Sequence, residues 1–371
     1  MSIFDPILTQ WGRLTGGARE FSVTVPVMDG PLKPNDALEA AHRIASMPGS
    51  ANLAARGNDL IFSRGRVLCT LAADGTVREE ESFEAEITAL AATPSGDLAV
   101  GLAGAGVELR DRDARRRIGK AGARKLHCVT ALAFTPKGLA ITNGSDGVAP
   151  ADWVHDLMNH GESGFVALQR AAGDARVLAE GLRWPAGICA TGADTLAVTE
   201  AWGHRILSVS TEGAGVTGIL LDHLPGYPAR IVPRDGVGYL LANISIRSQL
   251  IEFVLRERRF LRRMRAEVAP EHWIAPALSS GHSFKEPLQS GGVIRLGIHK
   301  PWAPTRSYGL IVALSEDFRP IWSAHSRADG KRHGVTSVAE TRAGIAALAQ
   351  GNGDLVLLTF DGGPAKEVTM T

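Results

Sequence analysis

An apolar residue, a few polar ones, a Gly- or Asp-containing turn and then a second alternating apolar run recur six times along the chain. The copies open at Ala51-Asn52-Leu53-Ala54, Thr88-Ala89-Leu90-Ala91, Thr130-Ala131-Leu132-Ala133, Gly187-Ile188-Cys189-Ala190, Arg230-Ile231-Val232 and Ser337-Val338-Ala339-Glu340. Second strands follow at Gly96-Asp97-Leu98-Ala99-Val100, Lys137-Gly138-Leu139-Ala140-Ile141, Asp194-Thr195-Leu196-Ala197-Val198 and Gly238-Tyr239-Leu240-Leu241-Ala242. Period-2 alternation bounded by glycine turns is the mark of strand pairs. Such units, roughly 40 residues apart, bury their faces only against neighbours, so the pattern predicts an all-β, six-bladed β-propeller.

The alternating segment Phe21-Ser22-Val23-Thr24-Val25-Pro26-Val27 precedes the first copy and needs a sheet to join. It is expected to close the last blade, about residues 20–27 pairing with strands that include Gly353-Asp354-Leu355-Val356-Leu357-Leu358 and removing an open edge. Two insertions break the repeat. One, about 145–164, contains a short helix with Asp152 near its start and Trp153 within it. The other, about 255–292, carries Arg256, Arg258, Arg259, Arg262, Arg263 and Arg265 on one helix-like segment. Both are expected over the channel mouth, where insertions in closed β folds shape ligand sites. Residues 1–371 are expected to form a single domain.

Charge excludes some partners. Lys plus Arg number 40 against 39 Asp plus Glu, a formal net charge of +1, so no global field attracts nucleic acid. The arginine run is interspersed with Glu252, Glu257 and Glu267 and reads as a solvated face rather than a phosphate-binding surface. No apolar run approaches the ~18 residues that span a bilayer. The first residues lack a secretory pattern, and Cys69, Cys128 and Cys189 each sit among apolar neighbours as expected of buried free thiols. A cytoplasmic location is the expectation, with a small molecule as partner and the oligomeric state open.

Several stretches together resemble the strictosidine synthase-like family of six-bladed propellers, relatives of the gluconolactonase, regucalcin and paraoxonase group. They are Gly181-Leu182-Arg183-Trp184-Pro185-Ala186-Gly187-Ile188, Ala197-Val198-Thr199-Glu200-Ala201-Trp202-Gly203-His204-Arg205-Ile206 and Leu224-Pro225-Gly226-Tyr227-Pro228-Ala229-Arg230-Ile231. Three more are Ile141-Thr142-Asn143-Gly144-Ser145, Met158-Asn159-His160-Gly161-Glu162-Ser163-Gly164 and Val335-Thr336-Ser337-Val338-Ala339-Glu340. The resemblance implies an axial channel in which lactonase relatives hold calcium on carboxylate and Asn oxygens. At the matching positions this chain has Ala51, Thr130, Ala186, Ala229 and Arg230. The expected ligands are absent and a fixed cation stands among those positions, so neither metal nor cofactor is expected. Where the plant synthases carry a catalytic Glu this chain has Thr336, which cannot act as a base near neutral pH.

The candidate catalytic groups are Arg230, to hold a carboxylate or polarise a carbonyl, with Glu200 and His333 for acid–base work. An ion pair of Arg230 with Glu200 or another carboxylate is the competing expectation. Trp153, Trp184 and Tyr227 are expected as aromatic walls, with Thr130, Ala186, Thr336 and His127 lining the site. The leading expectation is a metal-independent small-molecule enzyme, a hydrolase or a lyase or condensing enzyme, acting on an anionic or carbonyl-bearing substrate. The alternatives are a non-catalytic binding propeller and a calcium-dependent lactonase or esterase with displaced ligands such as Asn143 and Glu200.

Overall fold

A computed structural model describes residues 24–363 apart from 73, 112–113, 172, 235, 284, 288–293, 296–297 and 300–304. Six four-stranded antiparallel blades are arranged around an axis, and the fold is mostly β. Blade 1 comprises Ser50–Arg56, Asp59–Arg64, Val67–Leu71 and Val77–Ser82, and blade 2 Ile87–Ala92, Leu98–Leu102, Gly106–Arg110 and Arg115–Ile118. Blade 3 is Val129–Thr135, Gly138–Asn143, Gly164–Gln169 and Arg176–Leu182, and blade 4 Pro185–Ala190, Thr195–Glu200, Arg205–Ser210 and Val216–Leu221. Blade 5 runs Gly226–Arg234, Gly238–Ile246, Gly309–Leu314 and Pro320–Ser326. Blade 6 combines Val335–Thr341, Gly344–Ala349 and Asp354–Leu358 with the early strand His42–Ser46. The six first strands contact one another in a closed ring.

Burial follows position within a blade. Second strands such as Leu98–Leu102 and Gly344–Ala349 are buried along their whole length, because both faces pack on neighbouring blades. The outer strand Val77–Ser82, rich in Glu, is almost wholly exposed.

Two expectations are corrected. The strand that closes blade 6 is His42–Ser46, with His42 opposite Leu357 and Ser46 opposite Asp354. Of the expected 20–27 segment, 20–23 lie outside the described residues, while Thr24–Val27 form no strand and Val27 is 79% exposed. The intervening residues strap back across blade 5: Asn35 Nδ2 donates to Ser323 O, Ser326 Oγ donates to Glu39, and Arg332 Nη1 donates to the Leu38 and Ala41 carbonyls. These bonds place residue 42 beside the last strand of blade 6.

The second insertion is also larger than expected, occupying the whole interval from Arg247 to Tyr308 between two strands of blade 5. Its arginine run is split between two helices, Gln249–Arg256 and Arg258–Glu267. Ser248 caps the first by accepting from Ile251 N–H. Ile251, Val254, Leu255, Leu261 and Met264 face inward; Arg256, Arg258, Arg259, Arg262 and Arg263 are exposed, while Arg265 is half-buried. The first insertion spans 144–163, with its helix at Trp153–Met158.

Candidate functional site

Every first strand slips register near its channel end. The slips fall between Ala51 and Ala54, Ile87 and Ala89, Val129 and Ala131, Pro185 and Gly187, Pro228 and Ile231, and Val335 and Ser337. Bulges re-aim side chains and recur at functional rims. Here every slip sends at least one residue, Asn52, Thr88, Thr130, Ala186, Ala229 with Arg230, and Thr336, into one cavity of about 370 Å³. All six blades therefore contribute to it. Ala149, Pro150, Ala151 and Trp153 of the first insertion and Leu278 of the second complete its wall.

Close approach demands small residues at two points behind this wall. A Cβ on Gly144 would meet Thr130 Cγ2 at 2.8 Å and the Trp184 ring at 3.2 Å. On Gly187 it would meet Ala229 O at 2.4 Å, where the first strands of blades 4 and 5 touch.

Arg230 dominates the site. It starts on blade 5, crosses the axis, and donates through Nη2 to Asn52 Oδ1 at 2.5 Å, Thr88 O at 2.8 Å and Thr130 O at 3.1 Å. Three oxygens from blades 1, 2 and 3 thus converge on one nitrogen, as oxygens converge on a bound cation. Asn52 is itself locked in place, since its Nδ2 donates to Ser63 Oγ and Ile87 O, both at 2.8 Å, and its backbone sits at φ +61°. Asn is among the few residues that tolerate that conformation. Among the described residues no carboxylate pairs with Arg230, and burial pushes its pKa down to about 10. It remains a cation at neutral pH. Its Nε is buried without a hydrogen-bond partner, whereas Nη1, bonded to none of the described residues, keeps accessible surface in the cavity.

The expected competitor for Arg230 is engaged elsewhere. Glu200 accepts from Arg183 N–H at 2.7 Å and pairs with Arg205 Nε at 2.5 Å, outside the cavity lining. Its expected acid–base role is corrected to a structural ion pair. His333 is likewise removed from the cavity: Ser307 Oγ lies 2.8 Å from its Nδ1 and Arg327 O 2.8 Å from its Nε2, and burial lowers its pKa. A buried, doubly engaged imidazole held neutral is a packing group, not a base at the mouth. His127 lies at the entrance to blade 3, outside the lining, with its carbonyl accepting from Gly104 N–H.

The aromatic wall differs in part from expectation. Trp153 and Trp184 line the cavity and both lie against the buried Trp202, at centroid distances of 5.9 and 5.5 Å. Trp202, whose part the sequence did not disclose, donates its indole N–H to Asp156 Oδ1 at 2.9 Å. Burial raises the Asp156 pKa. Tyr227 is fully buried behind Trp202, edge-on at 6.0 Å, and donates its hydroxyl to Glu252; it supports the wall without lining it. Trp184 adopts φ +56°, a strained conformation for a bulky residue, held by Ala201 N–H donating to its carbonyl. Thr130, Ala186 and Thr336 line the cavity, and Thr336 Oγ1 donates to Gln350 Oε1 at 2.7 Å.

Solved structures share this architecture. A gluconolactonase from Xanthomonas campestris, described as important in glucose secondary metabolic pathways, is similar over 90% of this chain and 97% of its own, with a TM-score of 0.53 and 15% identity. Regucalcin from Agrobacterium tumefaciens, described as a calcium-binding protein, is similar over 86% of this chain and 93% of its own, with a TM-score of 0.52 and 13% identity. No protein-family model and no curated protein sequence matches the chain. At such identities the likeness is one of fold.

The calcium in the second neighbour's description sets a test for the axis of this chain. Calcium takes six to eight oxygens and favours carboxylates. The oxygens offered here by blades 1 to 3 are already bonded to the Arg230 guanidinium, and no group of three or more His, Cys, Asp or Glu that could hold a metal occurs among the described residues. Glu86 is the sole carboxylate lining the cavity among the described residues, and it is exposed. Asn143, expected as a displaced ligand, accepts from Cys128 N–H and donates to Ser145 O, both at 2.9 Å. The donor set around the axis does not fit calcium.

Proposed function

We propose that the axial cavity is the substrate site of a small-molecule hydrolase, and that Arg230 Nη1 holds the anionic or carbonyl oxygen of the substrate. The observation that carries this reading is a buried guanidinium with no carboxylate partner among the described residues and one nitrogen open to the cavity. A fixed cation in a cavity with apolar walls attracts negative charge more strongly than in water, whether that charge is resident on the substrate or develops on a carbonyl oxygen during attack by water. In this reading Glu86, which lines the same cavity, takes the proton from that water. The hydrolase class is supported by the fold shared with the gluconolactonase, which carries no residue-level argument at 15% identity. Kinship with strictosidine synthase-like proteins is supported by the landmark stretches alone, and the carbon–carbon bond-forming chemistry of the plant enzymes is disfavoured by Thr336.

A panel of aryl esters and lactones tests the reading. Turnover by the wild-type protein is expected to survive chelator and to fall by roughly 100-fold in kcat/KM for Arg230→Met, the scale seen when one oxyanion donor is removed. Unchanged kcat/KM in Arg230→Met would overturn it. Activity abolished by chelator and restored by calcium would install the second reading, a calcium-dependent lactonase, for which the fold likeness speaks and against which Arg230 speaks. A protein that binds the panel without turnover would be a binding propeller.

A further inference from the structure

We infer that the cavity selects a monocarboxylate with a flat or compact apolar body, bound with its carboxylate inward against Arg230 and Gln350. The inference rests on the preceding reading of the cavity as the ligand site and adds the chemical class that fills it. Two donors without partners among the described residues line the same cavity. One is Arg230 Nη1. The other is Gln350 Nε2: with the Thr336 hydroxyl donating to Gln350 Oε1 at 2.7 Å, the NH₂ group of this cavity-lining side chain makes no hydrogen bond to the described residues. A carboxylate presents two oxygens in one plane and can satisfy one donor with each.

Charge sets the second half of the class. The described lining holds one cation, Arg230, and no Lys, His or second Arg. A monoanion neutralises it. A phosphate monoester, carrying close to two negative charges at neutral pH, would retain one uncompensated charge against apolar walls, where an unpaired charge is costly. Glu86 on the exposed side repels a second negative group there as well. The remaining wall is apolar, with Ile87, Trp153, Trp184, Ile244 and Leu278 flanking small alanines. Such a surface fits a ring or branched hydrocarbon and offers little to a polyhydroxylated body.

Calorimetric titration of the full chain with phenylacetate, phenylacetamide and phenyl phosphate tests the class without requiring turnover. Phenylacetate is expected to bind saturably and at least 10-fold more tightly than either comparator. Gln350→Leu is expected to weaken phenylacetate about 10-fold while leaving the melting temperature unchanged. Equal or tighter binding of phenyl phosphate would overturn the monocarboxylate assignment and leave the anion-binding role of Arg230 standing. Equal binding of the neutral amide would overturn both. Binding of none of the three would overturn the ligand class, with the ester and lactone panel deciding separately whether the cavity is a reaction site. Unaltered phenylacetate affinity in a folded Gln350→Leu variant would remove Gln350 from the site.

Discussion

Asn52→Asp neutralises Arg230 in place and isolates its charge from its shape. The substitution keeps an oxygen where Oδ1 now accepts from Arg230 Nη2 at 2.5 Å, and Asp, like Asn, tolerates the φ of +61° found there. The donation to Ile87 O is lost, and Ser63 Oγ can donate to the new carboxylate only by giving up its present bond to Ala51 O; loss of each such bond costs about 1 kcal/mol of stability. A bound carboxylate about 4 Å from the guanidinium gains about 4 kcal/mol at an effective dielectric near 20. The same ligand would lie about 7 Å from the new carboxylate and be repelled by roughly 2 kcal/mol, about a 30-fold loss of affinity. Calorimetric titration of wild type and variant with one aryl carboxylate reads this out, with a thermal melt to verify folding. Affinity that is unchanged or improved would refute the claim that the charge of Arg230 binds the ligand.

Four further outcomes follow from the same structure. Burial disfavours the charged form of Arg230, so between about pH 10 and the usual arginine range the unfolded chain binds more protons than the folded one; stability gains a rising contribution in that window while carboxylate affinity falls about 10-fold per pH unit above about 10, readable by melts and titrations across pH. Because the axial oxygens are bonded to Arg230, millimolar calcium and chelator are each expected to leave the melting temperature unchanged, and a calcium-dependent rise would contradict the donor-set argument. Ile44→Asp, on the strand that closes blade 6 and packed against the cluster of Leu60, Phe62 and Leu355, is expected to destabilise by about 2 kcal/mol, whereas Val27→Asp at a 79% exposed site should stay within about 0.5 kcal/mol in denaturant titrations. The three cysteines are buried, and burial pushes the Cys128 and Cys189 thiols up to about 12, so a thiol reagent is expected to label the native protein slowly and the denatured protein at once.

Legibility of each feature in the sequence tracks the range over which it is decided. The blades are readable because a first strand and its hairpin partner are local, but the copies as read start at Ala51 and Ser337 beside Thr88 and Thr130, one residue off the bulge positions Asn52 and Thr336. Thr130, Ala186, Arg230 and Thr336 are legible as lining, whereas Asn52 and Thr88 emerge only from the bulges. Ala51 lines the cavity as read from the sequence, and the slip between Ala51 and Ala54 brings Asn52 into it as well. Alternation cannot choose which of two early segments closes blade 6, because the strap of Asn35, Glu39 and Arg332 bonds that decides it joins residues nearly 300 positions apart. His333 and Glu200 look chemical by residue type. Their partners, Ser307 with Arg327 O and Arg205 with Arg183 N–H, come from neighbouring turns that no spacing rule reveals.

Whether Arg230 is the ligand's anchor or a removable occupant of a metal site is decided by a crystal structure of the protein grown with both a bromine-substituted phenylacetate and calcium chloride. The carboxylate is expected within hydrogen-bond distance of Arg230 Nη1 and the ring between Trp153 and Trp184, with the three bonds from Nη2 to Asn52, Thr88 and Thr130 intact. Calcium on the axis with the Arg230 side chain displaced, or the carboxylate bound away from Arg230, would show that the guanidinium is not what holds the ligand.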